Sequence, residues 1–150
     1  MKRTFVTLLF VAGVVVIGSL VGLFNLPGPW YQGLVKPPFN PPNWIFGPVW
    51  TVLYALIGVA GARTFLDHRH SQAMRLWVAQ MVLNFAWSPM FFGAEQILGA
   101  FIVVMAMLIA ILLFIRASWH QDRLSALLFL PYAAWVAFAS LLNGSILALN

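Results

Sequence analysis

Residues 5–24 read FVTLLFVAGVVVIGSLVGLF, twenty consecutive residues with no charge and no proline. A helix rises 1.5 Å per residue, so a run of this length crosses a hydrocarbon core about 30 Å thick. Lys2 and Arg3 precede it. A signal-peptide core is shorter, about 7–15 residues, and ends at a small-residue cleavage site, so this run is expected to persist as a helix. Four more apolar segments lie beyond it: Ile45–Leu66, Leu76–Phe92, Leu98–Ile115 and Leu124–Leu149. The third is the shortest and ends near Pro89. A barrel would need alternating segments of about 10 residues, and none is present. Helices satisfy their own backbone in lipid. The expected fold class is therefore an all-α membrane protein, a five-transmembrane-helix bundle forming one domain over residues 1–150. Its one long connection covers about residues 25–44.

The composition agrees: 63% of the residues are hydrophobic and 7% charged, against about 25% charged in a typical soluble domain. Mean hydropathy is +0.94. With no cysteine there is no disulfide framework, thiolate nucleophile or cysteine metal site. The formal charge of +5 forms no basic stripe, which argues against a nucleic-acid partner. The basic residues instead sort by connection. Lys2 and Arg3 sit at the N-terminus, Arg63, Arg69 and Arg75 at the second connection, and Arg116 and Arg123 at the fourth, with Lys36 alone on the opposite side. The positive-inside rule then gives an N-in, C-out topology and points to a bacterial cytoplasmic (inner) membrane. Asp67, Glu95 and Asp122 fall at connections or span ends, as do His68, His70 and His120. No intramembrane carboxylate is available as a proton relay, and no inward histidine as an axial or metal ligand. No metal site is expected, nor a Ser-His-Asp arrangement with Ser88 or Ser140.

The first connection is unusual. WYQGLVKPPFNPPNWIFGPVW, Trp30–Trp50, lies in a region holding seven of the nine prolines, Pro27 to Pro48. Each proline fixes its own φ and pushes the preceding residue toward extended backbone, so the loop should be stiff. Trp30, Tyr31, Phe39 and Trp44 add flat apolar area. Trp44, and Trp119 at the other face, suit an interfacial aromatic belt. Lys36 has two readings: a side chain snorkelling to water, or a partner for an acidic group on an otherwise apolar ligand. Within the spans, Phe46, Trp50, Tyr54 and Gly58 share one helical face, as do Gln80, Asn84 and Trp87, and Tyr132, Trp135 and Ala139. Polar groups on such faces should point inward. Gln80 and Asn143 are expected to bond neighbouring helices. The aromatic faces together can line a flat, mostly apolar pocket. GSLVG, Gly18–Gly22, is a small-xxx-small pattern suited to helix packing, and Gly58 and Gly61 leave room for close backbone approach.

These motifs carry a resemblance. WYQGLVKPPFNPP followed by FGPVWTVLY, then QMVLNFAWSPMFFGAEQ and LFLPYAAWVAFASLLNGSILALN, resemble in order and spacing the signature of the translocator protein family, also called TspO, peripheral benzodiazepine receptor-like or tryptophan-rich sensory protein. The resemblance covers nearly the whole chain. It implies a five-helix fold, often a homodimer, in the lipid bilayer, with a cavity closed by the first loop. It also implies a porphyrin ligand, protoporphyrin IX or a haem-type tetrapyrrole, and no resident cofactor. By motif position, Tyr31, Lys36, Pro41 and Trp50 should cover or line the site, and Asn84, Trp87 and Trp135 its interior; the residue reading adds Trp30, Phe46 and Tyr54. Trp50 and Trp135 match the tryptophans tied to porphyrin breakdown, and are the candidate catalytic residues if that activity is present. The sterol consensus at the end of the fifth helix is missing, since LLNGSILALN has no Tyr and no basic residue, which speaks against sterol binding. Three functions stand as expectations: a membrane binding protein or receptor for tetrapyrroles, in transport or stress sensing; a light- and oxygen-dependent porphyrin-degrading activity; or a structural and regulatory membrane partner. With no histidine inside, metal-free porphyrin should bind at least as well as haem.

Overall fold

In the computed structural model, which describes residues 2–150, the first apolar run forms α1 (Lys2–Phe24). The loop after it contains one short helix, α2 (Pro29–Gln32), and a 3-10 turn at Asn43–Ile45 that leads into α3 (Phe46–His68). Then come α4 (Gln72–Ser88), α5 (Ile97–Ser118), α6 (Arg123–Leu128) and α7 (Leu130–Leu149). There is no strand among the described residues. Four helical stretches are long and apolar enough to cross a membrane: Lys2–Phe24, Asn43–His68, Ile97–Ser118 and Arg123–Leu149.

Two segments differ from the sequence expectation, both because of proline. The last apolar segment, expected unbroken from Leu124 to Leu149, is split at Phe129 into α6 and α7. Pro131 has no N–H for the carbonyl of Leu127, and its ring crowds that carbonyl. The chain tightens, Phe129 N donating to Ala126 O at 3.2 Å, and restarts with Ala133 N donating to Phe129 O at 2.8 Å. The third segment forms the 17-residue α4, which reaches Ser88 and then widens into a π-helical turn over Pro89–Gly93. Ala94 N donates to Pro89 O at 2.8 Å, and Glu95, at φ 57°, ends the turn in left-handed backbone. Such turns often accompany functional sites.

α1 packs along α3, α4 along α5, and α5 along α7, while α3 and α7 make little contact. Small residues set the closest approaches. A Cβ at Gly58 would lie 2.7 Å from Val11 Cα, so the α1 and α3 backbones nearly touch there. The indole of Trp77 lies flat over Gly61 and donates to Ile57 O at 3.0 Å, joining α4 to α3. Tyr132, fully buried, receives a 2.7 Å hydrogen bond from Asn84 Nδ2 and donates to Gln80 Oε1 at 2.7 Å. Gln80 is thus a partner between helices, as its position on α4 implies.

At the end of the bundle away from the loop, two ion pairs tie helices together. Arg3 makes a two-pronged contact with Asp67, both distances 2.9 Å, in an exposed position. Arg63 grips Asp122 at 2.9 and 3.1 Å, and Ser125 Oγ donates to the same carboxylate at 2.6 Å. The Asp122 side chain is only 13% exposed and that of Arg63 34%. Burial by itself would raise the Asp122 carboxyl, but the Arg63 and Ser125 hydrogen bonds outweigh it and hold the carboxyl below its ordinary range. The folded protein therefore binds this proton less tightly than the unfolded chain. The stabilisation is fully present above the ordinary carboxylate value of about 3.9 and is lost as pH falls through the depressed one. Asp122→Asn is expected to cost about 1 kcal/mol at neutral pH, after allowance for solvent screening. Thermal melts of the two proteins should converge only once the pH has fallen below the depressed Asp122 value, under the ordinary carboxylate range.

Candidate functional site: an aromatic cavity beneath the proline-rich loop

α3 and α7 pack only sparsely on each other, and a cavity of about 770 Å³ lies between them, within the roughly 300–1,000 Å³ usual for small-molecule sites. α3 contributes Phe46, Trp50 and Tyr54, successive turns of one face. The Trp50 and Tyr54 rings lie 5.4 Å apart at 33°. α7 contributes Trp135, edge-on to Phe46 at 5.8 Å, together with Ala139, Leu142 and Asn143. α4 contributes Asn84 and Trp87, and the π-helical turn contributes Phe91 and Phe92. Trp87 stacks on Phe91 at 5.1 Å and 24°, with Phe92 set perpendicular at 5.7 Å. Val104 and Met107 of α5 form part of the floor, and Gly18, Ser19 and Gly22 of α1 one side.

The polar groups fall into two sets. Most are satisfied by the protein. Tyr54 Oη donates to Asn84 Oδ1 at 3.1 Å, extending the Asn84–Tyr132–Gln80 chain, so the floor is held by a network reaching from α3 to α7. Trp87 Nε1 donates to Asn143 Oδ1 at 3.0 Å, and Asn143 Nδ2 donates to Ile97 O at 3.1 Å. Trp50 and Trp135 differ: among the described residues neither indole N–H has a protein acceptor, and neither is sealed in the core. They are free donors on the cavity wall. No residue lining the cavity carries a formal charge.

The loop closes one end. Tyr31 is buried in a second aromatic cluster with Phe91 and Phe92, at 6.0 and 5.3 Å. Burial pushes its phenol up from its ordinary value. Asn150 latches the loop to α7: its Nδ2 donates to Val35 O at 2.8 Å, and its Oδ1 accepts from Val35 N at 3.0 Å. Asn25, Asn40 and Asn43 set amides around the rim.

Of the site residues expected from sequence, Tyr31, Phe46, Trp50, Tyr54, Asn84, Trp87 and Trp135 come together around this one cavity. Trp30, Lys36 and Pro41 do not line it. Trp30 lies behind the wall, edge-on to Phe91 at 5.7 Å. The Lys36 ammonium sits 4.4 Å over the Tyr31 ring and faces the carbonyls of Gln32 and Leu34 at 3.4 and 3.3 Å, an arrangement that turns it away from the cavity. Trp44, 72% exposed, stands at the rim of the cavity. The sequence alone assigns no lining role to Phe91, Phe92, Val104, Met107 or the asparagines of the rim. For Phe91 and Phe92 a signal is present, since Pro89 after a polar-aromatic helix face marks a turn that reorients the residues beyond it.

These features define a helical membrane protein built around an uncharged aromatic cavity. The TspO/MBR family profile matches residues 7–149, and the chain belongs to that family. It is 43% identical over 125 residues to a tryptophan-rich protein TspO of Archaeoglobus fulgidus, covering 81% of this chain and 80% of that one. It is 35% identical over 132 residues to a tryptophan-rich sensory protein of Cereibacter sphaeroides, covering 88% and 84%. With the human translocator protein it shares 36% identity over 120 residues, covering 76% and 70%.

Proposed function

We propose that this protein is a membrane receptor for a flat, largely apolar ligand of the tetrapyrrole class, held in the cavity beneath the loop. The observation that carries this reading is a preformed cavity walled by Trp50, Tyr54, Trp87 and Trp135. Rings offer stacking area to a planar disc, and the two free indole N–H groups are donors for its polar edge. The reading includes five crossings with the N-terminus on the cytoplasmic side. In its favour, α4 and its π-helical turn run as one helical stretch along α5, and the arginine-bearing connections share one end of the bundle. The acidic edge of such a ligand would meet amides and water at the rim, since the cavity itself is uncharged.

The test is titration of the purified protein with protoporphyrin IX in the dark, followed by tryptophan fluorescence. Saturable quenching is expected, with Trp50→Ala weakening affinity by roughly tenfold, the loss of one aromatic contact of about 1–1.5 kcal/mol. Lys36→Gln should change affinity by less than about twofold, because a solvent-screened charge off the cavity contributes little. Absence of saturable quenching would leave the aromatic walls without this role.

A second reading is favoured by one observation: Trp50 and Trp135 both line the cavity with their indole N–H groups free. Electron-rich indoles next to a photo-excited porphyrin and oxygen are placed to react. Under illumination the porphyrin Soret band should then decay, and Trp50→Phe or Trp135→Phe should stop the decay while dark binding persists. Decay that continues unchanged in both variants would assign the chemistry to free porphyrin.

A further inference from the structure

The cavity is open on one side only partly accounted for by its loop. Every exposed residue among those lining it belongs to α1, the loop or the first half of α3; α4, α5 and α7 contribute none. On α1 the exposed lining residues are Ser19, Gly22 and Leu23, one helical stripe, and on α3 they are Gly47 and Thr51, one turn apart. The two stripes face each other across a gap. A Cβ at Gly22 or at Gly47 would find no other atom within 4 Å. One turn deeper the helices touch, where the Tyr54 ring lies on the bare backbone of Gly18. The gap is thus bounded below by Gly18–Tyr54 and above by the loop, which Asn150 holds against α7. Its edges, Leu23, Leu26 and Trp44, are apolar and 65–72% exposed. Thr51 turns its hydroxyl back to Gly47 O at 2.9 Å, so it offers no unsatisfied donor there.

We propose that this gap is a lipid-facing portal, through which a planar apolar ligand dissolved in the bilayer passes sideways between α1 and α3. The inference rests on the cavity being a ligand site. The physical reason for the route is solvation: an apolar disc already in lipid keeps apolar surroundings along the whole path. A passage from water would have to part the latched, proline-stiffened loop.

The chain has no cysteine, so Gly22→Cys or Gly47→Cys places a single reactive thiol in the gap. The protein is set in lipid bilayers, labelled with a bulky benzyl methanethiosulfonate, and mixed with vesicles carrying protoporphyrin IX while tryptophan quenching is followed. Blocking the portal should slow association and dissociation alike, by roughly tenfold or more, and a thiol reductant should restore both rates. Slower dissociation is diagnostic, because loss of a binding contact speeds it. Association should also track porphyrin per lipid and not porphyrin per volume. Saturable binding with dissociation unchanged or faster after labelling at both positions overturns the portal and leaves the binding reading intact. So does faster exchange in Asn150→Ala, which would place the route under the loop. Absence of saturable binding to the unlabelled protein overturns the binding reading, and the portal with it.

Discussion

Leucine in place of Gly58 will sharply lower the thermal stability of the protein. A Cβ at this position meets Val11 Cα at 2.7 Å and Val11 N at 3.0 Å. These are backbone atoms, so no rotamer change can make room and α1 has to move as a body. Overpacking that meets backbone costs about 3 kcal/mol or more. α1 holds to the rest of the molecule chiefly through α3, and little of its surface is buried inside the protein. The expected result is therefore partial release of α1: a lower melting temperature by intrinsic fluorescence, together with new protease cleavage between α1 and α3. Gly22→Leu is the matched control. It adds the same side chain to the same pair of helices where the space is open, and it should melt at or slightly above the native temperature, since leucine favours helix over glycine.

The second large effect is at Trp87, where three interactions meet on one side chain. The indole stacks on Phe91, stands edge-on to Phe92, and donates its N–H to Asn143. Trp87→Ala removes the stack, leaves Asn143 Oδ1 facing an enlarged cavity, and takes away the support for the π-helical turn. Truncation of a packed tryptophan costs about 3–5 kcal/mol, and the lower end is expected because Trp87 is only partly buried. Ligand affinity should fall as well, by more than for Trp50→Ala, because Phe91 loses its orientation along with the missing ring. Trp87→Phe separates the two contributions. It keeps a stacking partner for Phe91 and loses only the donor, so most of the stability should return. If Trp87→Phe proves as damaging as Trp87→Ala, the hydrogen bond to Asn143 outweighs the stack.

The apolar runs locate the helices well because, in lipid, a helix must be apolar over its length whatever its neighbours are. The aromatic faces are equally readable: Phe46, Trp50 and Tyr54 follow the helical period, and so do Asn84 and Trp87, and all five reach the cavity. The features that escape the sequence depend on three-dimensional partners. Lys36 stands out as the one cation in the proline-rich loop, yet nothing in the sequence says that its ammonium rests on Tyr31, five residues earlier. The break at Phe129 has its cause in view, Pro131, but a proline can kink a membrane helix without ending it, and the outcome depends on which nearby groups re-pair the freed carbonyl. Phe91 and Phe92 are out of reach for a related reason. A π-helical turn shifts the face of every residue after it, so a reading at 3.6 residues per turn points them in the wrong direction. The seat of Trp77 over Gly61 needs both helices in place before either residue can be understood.

The Asn150–Val35 latch also has a consequence for the order in which the molecule assembles. It joins residues 115 positions apart, so it cannot form while the chain is still being made beyond the loop. α1 and α3 can pair early, through Gly58 and Val11, but the loop between them has nothing to dock on until the turn after α4 supplies Phe91 and Phe92, and nothing to fasten it until α7 arrives. The cavity is therefore completed and fastened at the same late stage, since Trp135 of α7 is also one of its walls. A nascent chain stalled before α7 is expected to present Trp50, Tyr54 and Trp87 without the wall that faces them, and without the latch over the loop.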